Sequence, residues 1–271
     1  GRKIYPADVR LAAEELELPY AQPEDPHADE FLDRLREIQP DVGVVISYGV
    51  KLQPELLALP KHGHINAHAS LLPAYSGAAP IQHCIKDGHD KTGISIIRLT
   101  DEMDAGDVQL VKETAIGGRE TAGQLRIRLA ELAGEALIAA LEEIRDGKAA
   151  CAPQDHSKAS PAPKVEKPAG AIDWTWPAEQ VDRLVRAMTP KPGGHTRLGA
   201  KRFIIMEGEV EMDLYGMGIP GGFQSAGEEG IRVCTGMDLY RIIRITPDNG
   251  RNMPAGEFVR GHPLPPAARF T

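Results

Sequence analysis

Between residues 6 and 147 the chain alternates amphipathic helical stretches with short apolar runs, and few architectures accept that pattern. Residues 6–16 (P-A-D-V-R-L-A-A-E-E-L) place a proline in a first turn and set Val9, Ala12, Ala13 and Leu16 at helical spacing. Residues 29–38 repeat the pattern with Phe31, Leu32, Leu35 and Ile38, and Pro40 stops it. Residues 42–48 (V-G-V-V-I-S-Y) form a continuous apolar run, as expected for a strand covered on both faces. Pro54 opens a short helix. Strands are expected at 65–68, 93–99 and 107–116, with a helix near 81–86 between the first two. Thr121 and Gln124 make a capping box, which opens a long helix with Leu125, Leu129, Leu132, Ala136, Ala140 and Ile144 inward and an end at Gly147. The alternation predicts an α/β domain built on a doubly wound, mostly parallel sheet.

Residues 149–170 are rich in Ala, Pro and Lys without periodicity and read as an interdomain linker. Beyond them lie a helix at 177–188 and strand-like runs at 203–205, 230–234 and 239–245. Gly and Pro separate these runs, as in a small β-barrel or sandwich. The expected organisation is therefore a catalytic domain at 1–148, a linker at 149–170 and a β domain at 171–271. Trp174 and Trp176 are expected to pack between the domains. A parallel sheet of this type usually begins with a strand-helix-strand unit, yet this chain begins on a helix, so the sheet is expected to lack its first strands.

Three scattered cysteines, Cys84, Cys151 and Cys234, fit a reducing cytoplasm and give no disulfide framework. No apolar run is long enough for a transmembrane helix, and no charged-then-apolar leader opens the chain. The net charge of −8 argues against a dedicated nucleic-acid binder. The acidic excess lies before residue 164, however, so a polyanion surface would fall in the second, near-neutral part.

The chemistry-bearing stretch is 63–80, G-H-I-N-A-H-A-S-L-L-P-A-Y-S-G-A-A-P. Side chains alternate along a strand, so Asn66 and His68 share a face and Ile65 and Ala67 take the other. A carbonyl-polarising amide beside a titratable imidazole at a strand end suggests acyl-type chemistry. The loop at 100–107 (T-D-E-M-D-A-G-D) offers four carboxylates near the sheet's carboxyl-end crevice. One of them could hydrogen-bond His68 and set its tautomer; a solvated acidic turn is the competing reading. His62, His64, His83 and His89 make no H-E-x-x-H pattern and no Cys pair joins them, which disfavours a metal. Ser70 is not in a G-x-S-x-G elbow, and no phosphate-cradling glycine motif occurs.

With I-N-A-H-A-S-L-L-P at 65–73, G-A-A-P-I-Q at 77–82 and D-A-G-D at 104–107, the chain resembles the folate-dependent formyltransferases. Q-D-H-S-K-A at 154–159, A-P-K at 162–164, I-D-W at 172–174 and P-K-P-G at 190–193 resemble the branch that formylates methionyl-tRNA. The resemblance implies a Rossmann-like formyltransferase domain followed by an OB-like β-barrel. It implies 10-formyltetrahydrofolate as co-substrate, methionyl-initiator tRNA as acceptor and no metal. Asn66, His68 and Asp104 would be catalytic, and Ser70, Leu71, Leu72 and Pro73 would line the folate site. A cytoplasmic monomer is expected. Alternatives are a relative with another acceptor, water or an amino sugar, and a truncated, inactive folate- or RNA-binding module. Three features depart from the family. Ala74-Tyr75-Ser76 stands where members often carry arginines, which weakens a tRNA-phosphate role for the turn. Members start with a strand-helix-strand segment followed by a basic loop, and residues 1–3 look like the tail of that loop, so the segment before it is expected to be absent; 212–222 map to no role.

Overall fold

The computed structural model describes residues 6–213, 218–265 and 268–271. Residues 1–3 and the part of the unassigned 212–222 stretch at 214–217 lie outside them. The chain divides into two compact units, one of residues 1–43 and 48–64, the other of residues 44–47 and 65–271.

The first unit holds α1 (Asp8–Glu15), α2 (Asp29–Ile38) and α3 (Pro54–Leu57). Proline takes the first turn of α3, where a missing N–H costs nothing. Helix α2 buries Leu32 but leaves Ile38 exposed. Helix α1 buries no residue, and its expected inward positions Val9 and Leu16 are exposed. Its apolar stripe is thus real as a pattern and uncovered among the described residues.

A four-stranded sheet, all but its residues 43 and 64 in the second unit, runs in the order β1 (Gly43–Val45), β2 (His64–His68), β3 (Lys91–Arg98), β4 (Val108–Ala115). The α/β class agrees with expectation. Strands β2 and β3 pair antiparallel, as do β3 and β4. The β3–β4 connection is too short for the crossover that a parallel pair needs, which is a dozen residues or more. The expectation for residues 42–48 is corrected. Among the described residues strand β1 stands at the edge of the sheet, and Val44, Ile46 and Tyr48 are exposed rather than covered on both faces.

Strand β3 is the centre of the core, with Ile94, Ile96 and Ile97 at 2% exposure or less. Helix α5 (Ala122–Arg145) lays Leu125, Leu129, Ala136 and Ala140 over this sheet. Both halves of the Thr121/Gln124 capping box are formed. Each buried Ile or Leu contributes roughly 2 kcal/mol from water exclusion, so the sheet is a rigid floor for the loops at its ends. Helix α4 (Pro80–Asp87) starts from one of those loops and buries Ile81, Cys84 and Ile85.

The C-terminal part is a six-stranded antiparallel sheet, β5 (Gly194–Leu198), β6 (Lys201–Glu211), β9 (Leu239–Pro247), β8 (Gly230–Cys234) and β7 (Phe223–Gly227) in that order, with β10 (Met253–Pro254) on β9. Helix α6 (Ala178–Met188) packs Val181, Leu184, Val185 and Met188 between α4 and this sheet, and α7 (Ala255–Gly261) covers β8 and β9. Trp174 does not pack between domains. It stacks on Phe270 at 5.8 Å and donates from Nε1 to Thr196 Oγ1 at 2.9 Å, inside the C-terminal sheet domain.

Candidate active site

Strand β2 delivers Asn66 and His68 to one face, opposite Ile97 and Ser95 of β3. His68 is buried, and both of its ring nitrogens face acceptors. Nε2 lies 2.9 Å from the Tyr75 carbonyl, so it carries a proton and donates. Nδ1 lies 3.6 Å from Asp104 Oδ1, just beyond hydrogen-bond reach, with both side chains at most one-tenth exposed. Of the four carboxylates in the 100–107 loop, Asp104 is thus the one turned to the imidazole. Its second oxygen accepts from the Gly77 N–H at 2.8 Å. The half-buried Asn66 amide is claimed by no other group among the described residues.

The two loops that meet His68 are tightly built. Asp104 sits at φ 54°, a left-handed conformation that aspartate tolerates better than most residues. Gly106 follows because a Cβ there would fall 1.7 Å from the Arg98 carbonyl oxygen. On the other side, the residues expected to contact folate form a braced turn. Ser95, a fully buried hydroxyl flanked by isoleucines in β3, donates to the Ser70 carbonyl at 2.8 Å and accepts from the Leu72 N–H at 3.1 Å. The Ser70 hydroxyl donates to the Ala74 carbonyl at 2.6 Å and is 1% exposed. Ser70 therefore serves inside the turn, and the half-buried Leu71, Leu72 and Pro73 are what the loop offers outward. The Tyr75 phenol donates to Asp87 Oδ2 at 3.0 Å, which ties the side chain to the end of α4. Burial first, and then that carboxylate, push the phenol well above its ordinary range.

The neighbouring histidines have other occupations. His64 Nδ1 meets the Leu57 carbonyl, His83 Nε2 meets the Pro163 carbonyl, and His89 takes the edge of Tyr75. Among the described residues no three His, Cys, Asp or Glu side chains gather as a metal-binding group.

Two participants differ in what the sequence shows of them. The Tyr75 carbonyl is a backbone atom and has no sequence signal. Ser95 had one, a hydroxyl in the run G-I-S-I-I, which in a buried strand must find hydrogen-bond partners.

Residues 3–141 match the family described as formyl transferase, and residues 164–263 match its C-terminal domain. The chain belongs to the formyltransferase family. The methionyl-tRNA formyltransferase of Geobacter metallireducens is 35% identical over 100% of this chain and 86% of its own length. That of Chlamydia trachomatis is 38% identical over 96% of this chain and 84% of its own. Two solved structures share the formyltransferase fold. HypX from Aquifex aeolicus, in complex with tetrahydrofolic acid, gives a TM-score of 0.66 at 20% identity over 85% of this chain and 40% of that one. The sugar 3N-formyltransferase WlaRD gives 0.65 at 13% identity over 88% of this chain and 79% of that one.

Proposed function

We propose that this chain transfers the formyl group of 10-formyltetrahydrofolate to the α-amino group of methionyl-tRNA, yielding N-formylmethionyl-tRNA for translation initiation. The observation that carries this reading is the match, over the whole chain, to relatives named methionyl-tRNA formyltransferase.

The site geometry supports the chemistry. The α-amine attacks the formyl carbon, a new C–N bond forms as the bond from formyl carbon to folate N10 breaks, and one proton passes from the amine to N10. No covalent enzyme intermediate is needed. The Asn66 amide donates to the formyl oxygen as negative charge develops there. His68 assists the proton transfer and, while charged, stabilises the tetrahedral intermediate. A neutral imidazole can donate to only one of its two flanking acceptors, Asp104 and the Tyr75 carbonyl. Once it has taken a proton it can donate to both. The site therefore favours the transition state over the resting state by one hydrogen bond, provided the 3.6 Å gap to Asp104 closes by less than an ångström.

Leu71, Leu72 and Pro73 line the folate in this reading. The C-terminal domain at 171–271 helps hold the acceptor arm, in keeping with its near-neutral charge. The same reading takes the reaction to be cytoplasmic, where charged tRNA is used, and the active form to be a monomer.

The test is a formylation assay with purified protein, methionyl-tRNA and 10-formyltetrahydrofolate. Formylmethionyl-tRNA is expected to accumulate. A folded protein that forms none would sink the reading, and formyl release without tRNA would turn it toward water as the acceptor.

A further inference from the structure

The segment at 149–170, read from sequence as a linker, crosses the site itself. It enters through a paired bridge, in which Val108 and Ala152 exchange N–H to carbonyl hydrogen bonds of 2.9 Å. Two residues on, Gln154 donates from Nε2 to the carbonyls of Asp104 and Gly106, each at 2.7 Å. An amide nitrogen has two hydrogens, so both are spent on the loop that carries Asp104. Further along, the segment grips the turn on the other side of His68. Ser160 accepts the Tyr75 N–H on its hydroxyl at 3.0 Å and the Ser76 N–H on its carbonyl at 2.9 Å. Ala162 donates to the Ser76 carbonyl and accepts from Ala79. Gly77 leaves room for this contact, since a Cβ there would lie 2.6 Å from the Ala162 oxygen.

Both partners of His68 are therefore held by one strap. Asp104 hangs on Gln154, and the Tyr75 carbonyl hangs on Ser160. We propose that Gln154 is a positioning residue for formyl transfer, and that residues 152–162 form a brace fixing the distance between Asp104 and His68. The proposal rests on the function argued above for its kinetic consequence but not for its geometric one. The physical reason is the left-handed backbone at Asp104. That conformation is a minor one for a non-glycine residue, and the two hydrogen bonds to carbonyls 104 and 106 favour it over alternatives that would turn the carboxylate away.

The test compares Gln154→Met, similar in size without donors, with Gln154→Glu, which sets a carboxylate against two carbonyl oxygens. Both are measured in the wild-type and Asp104→Asn backgrounds. In the wild-type background, kcat is expected to fall about tenfold for Met and further for Glu, with KM for methionyl-tRNA unchanged within about twofold. In the Asp104→Asn background the same changes cost less than about twofold, because the residue acts through Asp104. Equal costs in the two backgrounds, or a kcat unchanged in Gln154→Met, would overturn the proposal. Circular dichroism and thermal melting check that each variant is folded. The resting enzyme supplies an independent measurement, the NMR signals of the His68 ring. They are expected to move in Gln154→Met. If wild-type protein forms no formylmethionyl-tRNA, the functional reading fails, and these signals still decide the brace. Unmoved signals defeat it.

Discussion

Replacing Asp104 with asparagine keeps the size and the acceptor for the Gly77 N–H and removes only the charge beside His68. The magnitude follows from the geometry. Unit charges 3.6 Å apart attract by about 4–5 kcal/mol at an effective dielectric constant near 20, and both side chains are at most one-tenth exposed, so solvent screens little of it. That attraction exists only while His68 holds the extra proton, so its loss falls on the transition state. With relaxation returning part of it, about 3 kcal/mol remains, a kcat lower by about 10²-fold. The asparagine must keep its carbonyl on Gly77, which turns its NH₂ toward Nδ1. It then offers a donor where the protonated ring needs an acceptor. The assay is steady-state formylation of methionyl-tRNA by wild-type and Asp104→Asn protein side by side. A folded Asp104→Asn protein within about threefold of wild-type kcat would refute the reasoning and demote the pair to a structural contact.

His68→Ala is expected to lower kcat/KM by about 10²-fold or more in the same assay. Gly106→Ala places a methyl on the Arg98 carbonyl and should lower stability by about 1–3 kcal/mol or more, read as a shifted urea midpoint at unchanged slope, with activity falling alongside. Thr121→Ala removes the cap of α5, a cost of about 1 kcal/mol by the same measurement, and leaves kcat unchanged because the helix start lies at the far end of β4 from Asp104. Native alkylation should mark the exposed Cys151 and spare Cys84, whose thiol burial pushes up to about 11, and the buried Cys234; mass spectrometry of the digest reads the result.

How much was legible differs from element to element. Helix α2 falls at the residues that its period picks out, and the capping box of α5 forms as written, because both depend on side chains within a few positions of one another. The shared face of Asn66 and His68 likewise follows from the strand repeat alone. Residues 42–48 show the limit. An apolar run records what a strand can bury, whereas its covering depends on which chain lies over it, and among the described residues Val44 and Ile46 are exposed. The linker shows another limit. A segment without periodicity carries no local sign of its contacts, yet its backbone and two side chains hold both sides of the site.

The sequence by itself determined the class of fold, the pairing of an amide with an imidazole at a strand end, and, through the resemblance, the family. Only the tertiary structure decided which carboxylate of Asp101, Glu102, Asp104 and Asp107 turns to His68. It alone revealed that Ser70 serves the turn, and that Gln154 and Ser160 secure the two partners of the imidazole. The reason is separation along the chain. Periodicity and capping act between residues three or four apart, so composition encodes them locally. The contacts that set the site join residues 50 and 85 positions apart, and several end on backbone carbonyls and N–H groups that every residue carries alike.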